Sequence, residues 1–291
     1  MTSPIEVTDR SRTITVDLAG RVAIVTGSTK GGGAAIARRL AGAGAAVLVT
    51  GRDEPAGIEV AANIARDGGR ALFEPGDVAH EDVVARLVSV CGAHFGAPDV
   101  VVNAAAATDA LRRGDERPIV EETTEHLDYS FRVGFYSAFW AYKYALPAML
   151  ERGRGVFVNV SSVGSETPLP ARPAYAAVKA ALNALSRQAA VEYGRQGIRS
   201  NTILAGDIGG DDPVKQRLRE HAVAGPALLA AGCSPRLGES DDLADMVLFL
   251  ASDSSSFVNG SVVHLDGGVS ARSTFPDVST YFREMHAAVV D

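Results

Sequence analysis

A chain of 291 residues that is 46% hydrophobic but only 6% aromatic can bury a sizeable core, packed mainly through small aliphatic side chains. Its formal charge of −7, with basic residues occurring singly or in pairs, argues against a nucleic-acid partner. Two cysteines and six scattered histidines offer neither a disulfide framework nor a metal-ligand spacing, so no metal site is expected and both thiols read as free and reduced.

Residues 1–19 read as a loose polar arm of mixed charge with no apolar signal core. No apolar run approaches the length of a membrane span, so a cytoplasmic protein without a membrane partner is expected. Residues 20–270 read as one domain, because no Pro/Ser-rich linker divides them. "VAIVTG" (22–27) is a short buried strand, followed by a glycine turn and the helix "AAIARRLAGAG". "AAVLVTG" (45–51) is a second strand, and "AGIEVAANIARDGG" is a second helix with a glycine stop. Further strands are expected at 71–78, 99–105, 155–162, 199–206 and 261–268, with alanine-rich helices between them, among them 135–150 and 174–193. Strands apolar on both faces, alternating with helices, imply an α/β fold: a parallel sheet of about seven strands, doubly wound, with helices on both faces.

Two segments break the rhythm. Residues 107–125 are a polar insert, and 207–237 combine Asp, Gly and Pro with the apolar "AVAGPALLAAG". The second of these is a candidate substrate lid at a topological switch point. Residues 271–291 form a tail beyond the last strand, either a helix crossing a subunit boundary or the pocket, or a frayed end.

"TGSTKGGGAA" follows the first strand and opens the first helix, with Gly27, Gly31 and Gly33 in G-x-x-x-G-x-G spacing. Such glycines permit a tight turn and close approach of backbone to a pyrophosphate, which the freed N–H groups and the helix dipole then favour. Ser28 and Lys30 belong to the same turn. At the tip of the second strand stand Gly51 and Arg52, with no acid at the tip itself, although Asp53 follows. NAD binders usually place a ribose-binding acid there, whereas cations accommodate a 2′-phosphate; Lys30 and Arg52 therefore favour NADP(H) over two merely solvated surface cations. In "PAYAAVKAAL" (173–182) Tyr175 and Lys179 lie one helical turn apart on one face. A free phenol titrates near ~10, and an ammonium beside it stabilises the phenolate, bringing proton exchange toward neutral pH.

In this order the motifs resemble those of the short-chain dehydrogenase/reductase family, over about residues 18–270. "TGSTKGGG" looks like its glycine turn, "GDV" (76–78) like the segment carrying an adenine-contacting acid, "VVNAAA" like its NNAG strand end, and "NVSS", "YAAVK", "PRLG" and "LDGG" like its later landmarks. The resemblance implies a Rossmann fold and catalysis by Ser162, Tyr175 and Lys179. Ser162 would donate a hydrogen bond to the substrate oxygen, Tyr175 would transfer the proton, and Lys179 would tune it and hold the nicotinamide ribose. Cofactor contacts are implied for Gly27, Ser28, Lys30, Gly31, Gly33, Arg52, Asp77, Val78, Asn103, Tyr175, Lys179 and Ile208. The family also implies a homodimer or homotetramer built on the helices at 135–150 and 174–193.

Departures from the pattern are equally specific. Gly134 stands where the family has an asparagine that helps hold a relay water behind the lysine. The NNAG strand end is Asn103-Ala104-Ala105-Ala106, Ala205-Gly206 replaces the usual Pro-Gly, and Gly210 and Gly32 replace a threonine and an aliphatic residue. The leading expectation is an NADP-dependent oxidoreductase interconverting a ketone and a secondary alcohol. Leu228, Leu229 and Pro226, with Phe135, Phe139 and Trp140 where they face inward, point to a bulky apolar substrate; packing is the competing account of the same residues. The alternative is a redox-silent homologue, a non-catalytic subunit or a lyase or isomerase using the Tyr/Lys pair, motivated by the missing asparagine. A methyltransferase explains the glycine turn but not the Ser-Tyr-Lys register.

Overall fold

The structure, a computed structural model, describes residues 16–107, 117–210 and 213–272, together with Phe282 and Met285. Most of the arm expected at 1–19, the middle of the 107–125 insert and nearly all of the 271–291 tail lie outside the described residues.

Seven strands form one sheet: β1 (Val22–Thr26), β2 (Ala46–Gly51), β3 (Arg70–Pro75), β4 (Val100–Asn103), β5 (Gly155–Ser162), β6 (Ile198–Ala205) and β7 (Val262–Leu265). Every pairing is parallel, in the order β3-β2-β1-β4-β5-β6-β7. The chain runs outward from β1 to β3 and then reverses to β4, so the β1/β4 boundary is the switch point outside which ligands collect in such sheets.

Alternation along the strands divides the core into two layers. Ala23, Val25, Val47 and Val49 face one side, with α1 (Gly31–Gly42), α2 (Glu54–Arg66) and α9 (Ser240–Ala251) packed over them. Val22, Ile24, Leu48 and Val101 face the other, under α3 (Glu81–Phe95), α5 (Ser137–Glu151) and α6 (Pro173–Tyr193). Both faces are covered, which is why β1, β2 and β4 are buried along their whole length. Helix starts follow local chemistry: the Asp53 carboxylate accepts the Ala56 N–H at 3.2 Å, and Glu239 with Asp242 forms a capping box on α9.

Several boundaries differ from expectation. β3 stops at Pro75, before Gly76-Asp77-Val78, because those residues turn into the loop ahead of α3. β4 ends at Asn103 and β7 at Leu265, so their Ala and Gly tails are loop rather than strand. The helix expected from 135 is preceded by α4 (Thr124–Phe131) and a π-helical turn over Arg132–Tyr136 that contains Gly134. The segment 207–237 folds into two short helices, α7 (Pro213–Glu220) and α8 (Ala224–Ala231).

Candidate active site

The C-terminal ends of β1, β2, β4, β5 and β6 open into a cleft of about 510 Å³. Its floor is the glycine turn. Gly27 has φ +67°, and a Cβ on Gly33 would stand 2.2 Å from the Gly27 carbonyl oxygen, so the turn closes only without side chains there. Lys30 is the N-cap of α1 and offers no side-chain cap, which leaves the first-turn N–H groups of Gly31, Gly32 and Gly33 facing the cleft. Those donors and the positive end of the α1 dipole make a cradle that fits a pyrophosphate.

At one end of the cleft stand Arg52, Asp53, Asp77 and Val78. The Arg52 guanidinium donates to the Tyr129 hydroxyl at 2.9 Å. Asp53 points its carboxylate into the start of α2, and Asp77 accepts the Ala79 N–H at 3.0 Å. At the other end, α6 presents Tyr175 and Lys179. Lys179 is 3% exposed; its Nζ donates to the Val160 carbonyl at 2.8 Å and lies 5.8 Å from the centre of the Tyr175 ring. Burial brings its ammonium down to about 8. Ser161 ties β5 to the same helix by donating to the Lys179 carbonyl at 3.1 Å.

Ser162, one residue further, points the opposite way from Ser161, as strand alternation requires. Its Oγ accepts the Gly164 N–H at 3.1 Å, which leaves its own O–H able to donate. A Cβ on Gly164 would sit 3.5 Å from Ser162 Oγ and 3.6 Å from the Tyr175 ring, so the two side chains flank the same glycine.

Most of the residues expected to hold a cofactor meet in the cleft: Gly27, Lys30, Gly31, Gly33, Arg52, Asp77, Val78 and Ile208, with Tyr175 and Lys179. Three expected site residues do not line it. Ser28 is fully buried, donating to the Val25 carbonyl at 2.6 Å and accepting the Thr50 N–H at 3.0 Å, so its hydroxyl bolts the turn to β2. Asn103 is buried and donates to Asn159 Oδ1 at 2.9 Å. Ser162 stands beside the cleft, against Gly164. The aromatic residues considered for a substrate wall are elsewhere as well: Trp140 belongs to the core, Phe139 is exposed, and Phe135 packs edge-on against Phe131 and Tyr136.

Thr29 and Lys215 line the cleft without having been expected there. Lys215, on α7, reaches back to donate to the Ile208 carbonyl at 2.8 Å. A cation in the short amphipathic run after the switch-point loop was the available signal. Among the described residues no group of His, Cys, Asp or Glu side chains is arranged to hold a metal, and no helix is long and apolar enough to cross a membrane.

A family model described as enoyl-(acyl carrier protein) reductase matches residues 27–270, from the glycine turn to just past β7. The chain belongs to the short-chain dehydrogenase/reductase family. As a member of that family it is an oxidoreductase. It is 35% identical to 4-formylbenzenesulfonate dehydrogenase of Comamonas testosteroni, across 87% of this chain and 99% of the relative. It is 36% identical to cis-4-hydroxycyclohexanecarboxylate dehydrogenase of Sinomonas cyclohexanicum, across 87% and 98%. A solved gluconate 5-dehydrogenase from Burkholderia cenocepacia, in complex with NADP and tartrate, matches with a TM-score of 0.80 at 30% identity, over 89% of this chain and 98% of its own. Within the short-chain dehydrogenase/reductase frame, Gly134 is the departure with the clearest structural cause: a Cβ there would come within 2.4 Å of Val178 Cγ1, so a side chain on the π turn would require Val178 on α6 to shift.

Proposed function

We propose that this protein is an NADP-dependent oxidoreductase that interconverts a secondary alcohol and a ketone on a bulky, largely apolar substrate. The observation that carries the proposal is a half-buried phenol beside a buried, partner-poor ammonium, in a cleft whose other end is an uncapped helix N-terminus with two cations. When bound, the dinucleotide supplies or accepts the hydride. Gly31, Gly32 and Gly33 would hold its pyrophosphate, and Lys179 its nicotinamide ribose. Ser162 donates a hydrogen bond to the substrate oxygen, where negative charge grows, and Tyr175 Oη gives or takes the proton.

The preference for NADP rests on Lys30 and Arg52 at the cleft and on Asp53, whose carboxylate is engaged with α2. Arg52→Ala is expected to weaken NADP binding about 10- to 100-fold, the loss of one charge-assisted contact, and to leave NAD binding within about twofold. Isothermal titration with both cofactors reads this directly. Tighter binding of NAD than NADP by the wild-type protein would overturn the cofactor assignment.

Two six-membered-ring substrates in the names of the relatives, and the apolar side chains Leu228 and Leu229 beside a 210 Å³ cavity that shares Ile208 with the main cleft, favour a ring-bearing alcohol admitted under residues 207–237 as a lid. Following NADPH absorbance with a panel of cyclic ketones, and NADP with cyclohexanols, tests the activity. Binding of NADPH without turnover across the panel would favour the redox-silent reading instead. Residues 20–270 act in this proposal as one dinucleotide-binding and catalytic unit in the cytoplasm. Tyr136, Phe139 and Val191, exposed at 44%, 45% and 81% on α6 and around the start of α5, would be covered in a homodimer or homotetramer. Light scattering on the purified protein is expected to give two or four chains; a monomer would remove that part.

A further inference from the structure

A second cavity of about 20 Å³ adjoins the main cleft and shares Ala106, Tyr175 and Lys179 with it. It has room for one water molecule. Its far wall holds Glu122, His126 and Ser130, and Gly134 lies on its border. His126 Nδ1 stands 2.8 Å from Glu122 Oε1, and Ser130 Oγ stands 3.5 Å from His126 Nε2. The carboxylate side chain is 9% exposed and the imidazole 20%. The second Glu122 oxygen, Oε2, is buried with no hydrogen-bond partner.

Capping of α4 uses only part of this pair. Glu122 Oε1 accepts the Thr123 N–H at 2.9 Å and Thr123 Oγ1 accepts the His126 N–H at 3.2 Å, but neither contact engages Glu122 Oε2 or His126 Nε2. Burying a carboxylate with one oxygen unsatisfied opposes folding, which marks the pair as a candidate for function. The Glu122 contact fixes the proton of neutral His126 on Nδ1 and leaves the Nε2 lone pair on the Ser130 side. Gly134 matters here too, because it places no side chain on this border and the closeness of Val178 opposes one, so Glu122, His126 and Ser130 make the polar wall.

We propose that Glu122 and His126 form the proton outlet of this active site. The proposal rests on the reading of Tyr175 given above. In the oxidising direction the substrate O–H bond breaks and its proton joins ionised Tyr175 Oη, while the C–H bond breaks with its electron pair leaving as hydride to the oxidised nicotinamide, so that the alcohol becomes a ketone and the dinucleotide is reduced. The phenol then gives a proton to the cavity water, which protonates His126 Nε2. The imidazolium, paired with the Glu122 carboxylate, releases that proton to solvent through its exposed edge; reduction runs the same transfers backward. Besides the pair itself, the charged or titratable groups lining this cavity among the described residues are Arg172, Tyr175 and Lys179. The Lys179 ammonium is already engaged, its Nζ donating to the Val160 carbonyl at 2.8 Å.

The test uses the full chain with NADP and the cyclohexanol that the wild-type protein turns over fastest. His126→Ala is expected to lower kcat about 10²-fold with KM unchanged, and free imidazole is expected to restore it in a concentration-dependent way. Tyr175→Phe should not be rescued. Glu122→Gln removes the carboxylate that pairs with the imidazole and should lower kcat with KM unchanged, and it carries the same test if His126→Ala fails to fold. Nitrogen-15 NMR of the cofactor-free protein should find neutral His126 protonated on Nδ1. Full kcat in His126→Ala, a loss that imidazole does not restore, or an Nε2–H tautomer would each overturn the outlet while Tyr175→Phe still tests the parent reading. A wild-type protein silent toward every alcohol would overturn both.

Discussion

Tyr175→Phe is expected to lower kcat for alcohol oxidation and ketone reduction by about 10³-fold, while NADPH binding changes by no more than about twofold. The substitution removes one oxygen and nothing else. The ring keeps its place between Gly164 and the Lys179 ammonium, so no cavity opens and thermal stability should hold within about 1 kcal/mol. On the proposed reading, what is lost is the group that gives or takes the substrate proton. Ser162 has a hydroxyl but no means of ionising near neutral pH, and Lys179 is held against the Val160 carbonyl.

The expected split is therefore in kcat rather than in cofactor affinity, because the pyrophosphate cradle at Gly31, Gly32 and Gly33 lies at the far end of the cleft. Stopped-flow absorbance of NADPH under single-turnover conditions isolates the chemical step. A Tyr175→Phe protein with near wild-type turnover would remove the phenol from the mechanism. A wild-type protein that binds NADPH and is as inert as the variant would place the chain among redox-silent members of its family.

The sheet was legible because burial on both faces leaves an unmistakable mark: "VAIVT" and "VVVN" contain no polar residue that would permit a solvated face until Thr26 and Asn103 at their ends. The glycine turn was legible for a related reason, since nothing with a side chain can stand at Gly33. The positions that sequence could not fix depend on a tertiary neighbour. Ser28 looks like any turn serine until Thr50 of β2 takes its hydroxyl. Ser161 and Ser162 are equivalent in composition, and only the direction of β5 decides which one faces α6. Lys215 enters the cleft because α7 folds back over Ile208. Glu122 sits near the end of a segment that reads as a polar insert, with His126 just beyond it, and both line one small cavity with Lys179 where the π turn at Gly134 packs against Val178. A one-turn periodicity such as Tyr175/Lys179 is visible along a chain; a meeting of α4 with α6 is not.

Lys179→Met is expected to abolish turnover and, in the same protein without cofactor, to raise stability near neutral pH. Lys179 is almost wholly buried, and desolvation alone accounts for the fall of its ammonium from 10.5 to about 8; no acidic side chain contributes. That difference corresponds to roughly 3 kcal/mol of folding free energy lost while the group must be charged. The sign follows from proton counting. Between about 8 and 10.5 the unfolded chain binds more protons at this lysine than the folded one, so stability rises with pH across that window. Below about 8 both states carry the proton and the full penalty is present. Methionine fills a similar volume without a charge, and the Val160 carbonyl loses its donor at a cost of about 1 kcal/mol, leaving a net gain of about 2 kcal/mol at pH 7. For a chain of this size that is a rise in Tm of several degrees. Thermal unfolding at pH 7 and at pH 10 checks both the sign and the cause: the advantage of the variant should shrink toward zero at the higher pH as the wild-type lysine sheds its proton. A variant less stable than wild type at pH 7 would show that the ammonium is held by favourable contacts, and the buried cation would then be part of what supports the fold rather than a burden the fold carries for its chemistry.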